Sequence, residues 1–248
     1  MELHNKKILI TGAARGLGRE LAVLLNHEGC LLFLIDRDAK GLSLLAQELT
    51  CERLILPCDL SALRQRKKLI QTIKEQSKID ILINCAGIGS HSLLRQLTVD
   101  EIERVLQVNS LAPLELIAGL SPLELIVNIG SAAGEMNLPS ISLYSAGKAS
   151  VHAFTRSIQL EGVRTLLVIL GPLRGTDFVQ SIEHPRTGQP KWYRDLDLDV
   201  KVAAKEIIHA MKRGNDQIVL PRWYRIIFIV TDLFLPLMKT FGRKFGLR

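Results

Sequence analysis

The chain has 248 residues, of which 47% are hydrophobic and 23% charged, and its formal net charge is +7. This composition is typical of a folded domain and excludes a disordered or low-complexity protein. Residues 222–248 carry six Lys or Arg and one Asp, a net charge of +5, which leaves only +2 for residues 1–221. The body of the chain therefore gives no reason to expect nucleic-acid binding.

Short apolar segments alternate with longer helical patterns along the chain. Strands are predicted at 6–11, 30–36, 53–58, 79–84, 123–131, 164–171 and 216–221. Helices are predicted at 16–28, 39–50, 61–77, 98–119, 143–161 and 200–213. Several strands are apolar almost throughout, as expected when both faces are covered. The pattern predicts one α/β domain over residues 1–221, with a doubly wound, mostly parallel seven-stranded Rossmann sheet and helices on both faces.

The N-terminus, MELHNKKILITG, enters a strand-like segment almost at once, which leaves no room for an apolar signal peptide. Four cysteines, at positions 30, 51, 58 and 85, lack metal-type spacing, and we expect reduced thiols. The sequence therefore predicts a cytoplasmic protein without a metal site.

The first predicted strand continues into TGAARGLG, in which Gly12, Gly16 and Gly18 open a helix. Such a junction directs backbone N–H groups and the helix dipole at an anion, and glycines let a pyrophosphate approach closely. The spacing differs from the commoner G-x-G-x-x-G, and the same glycines also suit tight helix–strand packing. Their position directly after the first strand favours dinucleotide binding.

The second predicted strand ends at Asp36, eighteen residues after Gly18. A carboxylate there accepts hydrogen bonds from an adenosine ribose and repels a 2′-phosphate, which favours NAD over NADP. Arg15 and Arg37 are neighbours that can bind a phosphate. The sequence therefore favours NAD and leaves NADP open.

With these motifs in place, the sequence resembles the short-chain dehydrogenase/reductase family, in its shorter single-domain branch. The family's motifs occur in order from Lys6 to about Pro221: TGAARGLG, CDL, NCAG, Asn109, NIGSAAG, YSAGK and GPLRGTDF. The resemblance implies an NAD(P)-dependent oxidoreductase that acts on a small carbonyl compound or secondary alcohol and assembles as a homodimer or larger oligomer. Two segments, between Asn109 and Ser131 and between Tyr144 and Gly171, are shorter than the family pattern, which leaves the oligomeric state open.

The resemblance also assigns roles to residues. The implied catalytic set is Asn109, Ser131, Tyr144 and Lys148. The implied cofactor-binding set is Gly12, Arg15, Gly16, Leu17, Gly18, Asp36, Arg37, Asp59, Leu60, Asn84, Ala86, Gly87, Tyr144, Lys148, Gly171, Pro172 and Thr176. Asp59 matches the position that contacts the adenine amino group, and Thr176 matches the threonine that holds the carboxamide, although GPLRGT is one residue longer than the usual spacing.

The YSAGK motif suits proton transfer. Residues four apart share a helical face, so Tyr144 and Lys148 project side by side. A phenol titrates near about 10, and we expect the Lys148 ammonium to lower the pKa of Tyr144 into the range for general acid–base catalysis. We expect Ser131 to hydrogen-bond the reacting carbonyl oxygen and Asn109 to hold a water that links Lys148 to solvent.

Two segments leave alternatives open. Residues 172–199 interrupt the strand–helix alternation, and Trp192 and Tyr193 there either cover a substrate or pack the loop on the core. Residues 222–248 are amphipathic and basic, and their apolar part, about 226–238, is too short to span a bilayer. This tail either contacts a membrane surface, with Trp223 and Tyr224 at headgroup level, or packs on its own domain or a second subunit, or covers the substrate pocket. Lipid contact would favour an apolar substrate.

Two other functions compete with catalysis of this kind. A regulatory protein that binds the nucleotide without turnover is the main alternative, and the complete set of four catalytic residues counts against it. A sugar-nucleotide epimerase of the extended branch would need a larger C-terminal substrate portion than 248 residues readily provide.

Overall fold

Seven strands pair into one parallel sheet in the computed structural model, which describes residues 1–136, 140–176, 178 and 197–228. The strands are β1 (Lys7–Thr11), β2 (Leu31–Asp36), β3 (Arg53–Pro57), β4 (Ile81–Asn84), β5 (Leu125–Ile129), β6 (Thr165–Leu170) and β9 (Gln217–Leu220). Their spatial order is β3-β2-β1-β4-β5-β6-β9. The chain therefore builds the sheet outward from β1 in one direction and then, from β4, in the other, so that the strand order reverses between β1 and β4.

Helices cover both faces of this sheet. They are α1 (Gly16–His27), α2 (Ala39–Glu48), α3 (Leu63–Gln76), α4 (Val99–Leu106), α5 (Ala112–Leu120), α6 (Ser142–Leu160) and α7 (Val200–Arg213). Helices α1 and α7 contribute to one apolar cluster with the sheet, and α3, α5 and α6 contribute to a second. Every residue of β5 and β6 is buried, as the apolar sequences of these strands require. The predicted doubly wound fold is confirmed.

The helix predicted at 98–119 differs from the one observed. A π-helical segment, Gln107–Leu111, separates α4 from α5, and Ala112 N–H bonds to the carbonyl of Gln107 five residues back. Pro113, the second residue of α5, has no N–H to donate to the carbonyl of Asn109, which favours the wider winding at this point. The segment contains Asn109, and single-turn π-helical insertions occur often at functional sites.

The loop predicted at 172–199 begins and ends on a small parallel pair. Strand β7 (Leu173–Arg174) pairs with β8 (Leu198–Asp199), which holds the two ends of the segment together. Trp192 and Tyr193 lie outside the described residues, so their predicted role stays a prediction.

The described start of the tail packs on the domain. Residues 224–228 are helical, and Tyr224 is only 7% exposed. The ring of Trp223 stacks on that of Tyr224, with 4.3 Å between the centroids. In the described part of the tail, Tyr224 is therefore buried against the protein, whereas Trp223 is 37% exposed. Membrane contact of the tail stays a prediction. In the described part of the chain, no helix has the length and apolar character needed to cross a membrane.

Candidate active site

A cavity of about 720 Å³ opens at the carboxyl ends of the central strands. Residues at or just after the carboxyl ends of the six strands β1 to β6 line it, one for each strand: Gly12, Asp36, Asp59, Gly87, Ser131 and Gly171. In open parallel sheets, ligands bind at this edge, where the strand order reverses. The fold thus brings together residues that lie up to 159 positions apart in the sequence.

The glycine turn fits closely against its neighbours. Gly12 has a φ of +71°, and a Cβ there would lie 2.9 Å from the Cα of Ala86. A Cβ on Gly18 would lie 2.1 Å from the carbonyl oxygen of Gly12. Arg15, the N-cap of α1, makes no capping hydrogen bond with its side chain, so the first N–H groups of the helix have no side-chain acceptor from that position. This turn and helix start suit a pyrophosphate.

Asp36 is held at one end of the cavity by backbone donors. Its Oδ2 accepts from the N–H of Ala14 at 3.1 Å and its Oδ1 from the N–H of Asp38 at 3.0 Å. Each carboxylate oxygen keeps a further lone pair for a hydroxyl donor. Arg15 and Arg37 line the same cavity, so the sites predicted for ribose and phosphate recognition are adjacent.

Tyr144 and Lys148 lie one turn apart on α6 and both line the cavity with Ser131. Lys148 is 6% exposed, and its Nζ donates to the carbonyl of Ile129 at 2.8 Å. Burial lowers the pKa of Lys148 to about 8. A Cβ on Gly87 would lie 3.4 Å from Nζ, so the absence of a side chain at Gly87 keeps the wall open beside the lysine.

The pKa of Tyr144 is raised, whereas the sequence led us to expect a lowered value. Burial raises the pKa of Tyr144 to about 12, and a hydrogen bond with the Ser131 hydroxyl lowers it only in part. Lys148 does not contribute to this shift. The expectation that the ammonium makes the phenol more acidic is not met, because removal of the phenol from water outweighs the effects of its neighbours.

Two predicted residues lie behind the cavity wall instead of lining it. Asn109 is 1% exposed, and its Oδ1 accepts from the N–H of Ile88 at 2.9 Å while its Nδ2 donates to the carbonyl of Ile88 at 2.7 Å. Asn84 donates from Nδ2 to the Oδ1 of Asn128 at 2.8 Å. Both amides therefore hold the backbone and strands that shape the wall, and the water relay through Asn109 stays a prediction.

The other residues of the predicted cofactor set all line the cavity. Thr176 is among them, and a Cβ on Gly16 would lie 3.5 Å from its Cγ2. The longer spacing of GPLRGT therefore still brings Thr176 to the glycine turn.

Sequence reasoning missed several apolar side chains that line the cavity. They are Met136, Ile141, Leu173, Phe178 and Ile227. Trp223 and Tyr224 also line the cavity, as the alternative in which the tail covers the pocket predicts. The rings of Tyr144 and Phe178 lie 5.8 Å apart. The ring of Tyr224 packs closely on Gly171, where a Cβ would lie 2.5 Å from the ring. His91, which also lines the cavity, has its Nε2 2.9 Å from the hydroxyl of Ser140.

The doubly wound sheet, the glycine turn and the carboxylate at the end of β2 define a dinucleotide-binding protein of the Rossmann class. Comparison with known proteins makes this more specific. Residues 6–187 match the family model for short chain dehydrogenase. The chain therefore belongs to the short-chain dehydrogenase/reductase family, and it is an oxidoreductase that binds NAD(P). The predicted family and enzyme class are confirmed.

Individual relatives support this assignment. An uncharacterized oxidoreductase of Staphylococcus saprophyticus is 28% identical over 226 residues, which cover 87% of this chain and 94% of the relative. A short-chain dehydrogenase from Sphingobium yanoikuyae, solved in complex with NADPH, is 26% identical, with a TM-score of 0.78 and coverage of 92% and 95%. A short-chain dehydrogenase/reductase from Burkholderia phymatum, solved in complex with NAD, is 22% identical with a TM-score of 0.83 and 96% coverage of both chains, and shows the same fold.

Proposed function

We propose that the chain transfers hydride between a nicotinamide dinucleotide and a carbonyl or secondary alcohol carbon, with Tyr144 moving the proton. The observation that carries this proposal is the meeting of Tyr144, Lys148 and Ser131 in the cavity that the glycine turn also lines. The dinucleotide, when bound, supplies or accepts the hydride. The residues of the chain bind it, orient the substrate and handle the proton.

Ser131 and Tyr144 form the group that meets the substrate oxygen. Their hydroxyls are hydrogen-bonded to each other, and the Ser131 Oγ accepts from the N–H of Ala133 at 3.2 Å. This contact fixes the serine rotamer at the end of β5. Two prealigned hydroxyls stabilise negative charge that grows on a carbonyl oxygen.

Lys148 is assigned to the ribose of the nicotinamide. Its Nζ has three donors, and one of them is used by the carbonyl of Ile129. The remaining donors are available for ribose hydroxyls. With a pKa of about 8, Lys148 is mostly charged at neutral pH, so it also stabilises negative charge in the cavity.

The raised pKa of Tyr144 suits the proton transfer of carbonyl reduction, in which the phenol is the donor. A phenol with a pKa of about 12 is protonated at neutral pH. It is therefore ready to donate its proton to a growing alkoxide, whereas alcohol oxidation would first require its deprotonation. The apolar side chains that line the cavity, among them Phe178 with its ring 5.8 Å from that of Tyr144, suit an apolar substrate.

We propose NAD as the preferred cofactor on the basis of Asp36. Replacing Asp36 with Asn is expected to raise affinity for NADPH relative to NADH by about tenfold or more, because like charges near 4 Å apart repel by about 1 to 4 kcal/mol. Titration of each reduced dinucleotide against the wild-type and variant proteins measures this ratio.

Asp59→Asn is the matched control for the cofactor test. Asp59 lines the same cavity, but its predicted partner is the adenine, which both dinucleotides share. This control is expected to change both affinities together. A ratio of the two affinities that is the same in Asp36→Asn and wild type would contradict the assignment of Asp36.

Membrane-surface contact through the tail remains part of the proposal. The last ten positions contain four basic residues, Lys239, Arg243, Lys244 and Arg248. Replacing all four with Gln is expected to weaken binding of the protein to vesicles that contain phosphatidylserine. Each Lys or Arg near an anionic surface contributes about 1 kcal/mol. Co-sedimentation of the full chain and this variant measures the effect, with neutral vesicles as control, and equal binding of both proteins would eliminate the contact.

Assembly as a homodimer or larger oligomer also remains a prediction.

A further inference from the structure

His152 lies two turns after Tyr144 on α6 and is 1% exposed. Its ring occupies a narrow space between Gly130 and Gly134. A Cβ on Gly130 would lie 2.2 Å from its Nε2, and a Cβ on Gly134 would lie 2.6 Å from its Cε1. Both glycines flank the turn that carries Ser131, so the imidazole is packed directly under this turn.

Hydrogen bonds join the imidazole to both ends of the turn from Ser131 to Glu135. The N–H of Ser131 donates to Nε2 at 3.2 Å, so Nε2 carries a lone pair. Nδ1 lies 2.8 Å from the Oε1 of Glu135 and is therefore the protonated nitrogen. Arg156 donates to the same carboxylate oxygen at 2.6 Å, which keeps Glu135 oriented toward the ring.

The turn held in this way carries the hydroxyl that meets the substrate. Ser131 begins the 3₁₀ turn Ala132–Gly134, and its Oγ is hydrogen-bonded to Tyr144. A shift of the Ser131 backbone would move this hydroxyl away from the phenol. The contact between Ser131 N–H and the imidazole is therefore placed to fix the distance between the two reacting hydroxyls.

We propose that His152, oriented by Glu135, is a positioning residue that holds Ser131 against Tyr144 only while its imidazole is neutral. This inference rests on the proposed function, since it concerns the same reaction. A protonated Nε2 would be a donor facing the N–H donor of Ser131, so the turn would have to move away from the ring. No other residue needs to change its protonation for this to happen.

His152 is neutral at physiological pH mainly because it is buried. Burial is the largest influence and lowers the pKa of His152, while the Glu135 carboxylate raises it. The cations of Lys148 and Arg156 also lower it. The pKa of Glu135 is itself lowered, chiefly by its hydrogen bond with His152, so this carboxylate stays ionised. Protonation of His152 therefore falls below the ordinary histidine value of about 6.5.

Two variants of His152 separate positioning from packing. In His152→Gln the side-chain amide reaches the place of Nε2 and can accept from Ser131, whereas in His152→Asn it reaches only the place of Nδ1, toward Glu135. We expect His152→Asn to lower kcat by about 10- to 100-fold, since small misplacements of a reacting group have costs of this order. We expect His152→Gln to recover most of kcat, with dinucleotide affinity near wild type in both.

The pH profile gives a second readout. Wild-type kcat is expected to fall as pH decreases below about 6.5, and His152→Gln is expected to lack this fall because its amide does not titrate. His209→Asn, an exposed histidine of α7, is the matched control and is expected to behave as wild type. Thermal unfolding checks that both variants are folded. Equal kcat in the folded Gln and Asn variants would overturn the inference, as would a decrease of kcat at acid pH that persists in His152→Gln.

A measurement without turnover keeps this test separate from the proposed function. Imidazole ¹⁵N chemical shifts, assigned by difference from His152→Gln, are expected to show a neutral ring with the proton on Nδ1. A proton on Nε2 at neutral pH would overturn the inference even if the enzyme is active. Absence of turnover by the wild-type protein on a panel of carbonyl compounds would instead overturn the proposed function, and the tautomer would still decide the role of the ring.

Discussion

Replacing Tyr144 with Phe is expected to lower kcat by about 10²- to 10⁴-fold while dinucleotide affinity stays near wild type. The variant removes the hydroxyl that we propose moves the proton, and general acid catalysis contributes an effect of this size. The ring itself is retained, so its packing near Phe178 persists. Steady-state kinetics on a panel of ketones and aldehydes, with a separate titration of the reduced dinucleotide, measures the two quantities.

Ser145→Ala provides the matched control for the loss of a hydroxyl on α6. The Ser145 hydroxyl is buried and has no hydrogen-bond partner among the described residues. Its removal is expected to leave kcat unchanged. Undiminished turnover in Tyr144→Phe would remove Tyr144 from the mechanism. Dinucleotide binding without turnover by the wild-type protein would favour the silent nucleotide-binding alternative.

The pH dependence of the wild-type reaction is expected to follow from the pKa shifts of Tyr144 and Lys148. Because the pKa of Tyr144 is raised to about 12, carbonyl reduction is not expected to lose its proton donor between pH 6 and 9, whereas alcohol oxidation is expected to accelerate as pH rises. The pKa of Lys148 is lowered to about 8, so its charge is present below this value and lost above it. We therefore expect KM for the dinucleotide to increase above about pH 8.

The sequence alone was sufficient to predict the features of the fold that depend on local residue patterns. Continuous apolar strands such as β6 and the glycine turn after β1 follow from periodicity and spacing, and both were predicted close to their observed bounds. The π-helical segment was missed, although Pro113 was visible in the sequence. A missing N–H donor shows where a helix is weakened but does not show which winding replaces it.

Features that depend on tertiary burial were not accessible in this way. The pKa of Tyr144 was predicted from its neighbour at position 148, whereas the fold sets it mainly by removing the phenol from water. The contact of Tyr224 with Gly171 joins residues that are 53 positions apart. The same holds for His152, whose role is visible only once Gly130 and Gly134 are seen on either side of its ring. Sequence motifs thus pointed to the proposed reacting groups, whereas the groups proposed to position them became visible only in the structure.

Replacing Gly12 with Ala is expected to weaken dinucleotide binding by at least about tenfold. A residue with a Cβ in the left-handed region costs about 1 to 2 kcal/mol in stability. At Gly12 the added methyl would also lie 2.9 Å from the Cα and 3.0 Å from the N of Ala86. These are backbone atoms, and the N–H groups of Cys85 and Ala86 both bond to Thr11 Oγ1 at 3.0 Å. Either the glycine turn or the turn after β4 must move, and both line the cavity.

Gly162→Ala separates the backbone effect from the effect on the site. Gly162 has a φ of +85°, and a Cβ there would meet nothing within 4 Å. The control is therefore expected to lose a similar 1 to 2 kcal/mol, roughly, of unfolding free energy from the left-handed backbone alone and to bind the dinucleotide as wild type does. Chemical unfolding and dinucleotide titration of both variants make the comparison. If Gly12→Ala binds the dinucleotide as tightly as Gly162→Ala, the glycine turn does not hold the pyrophosphate, and the cofactor must be bound by other parts of the cavity.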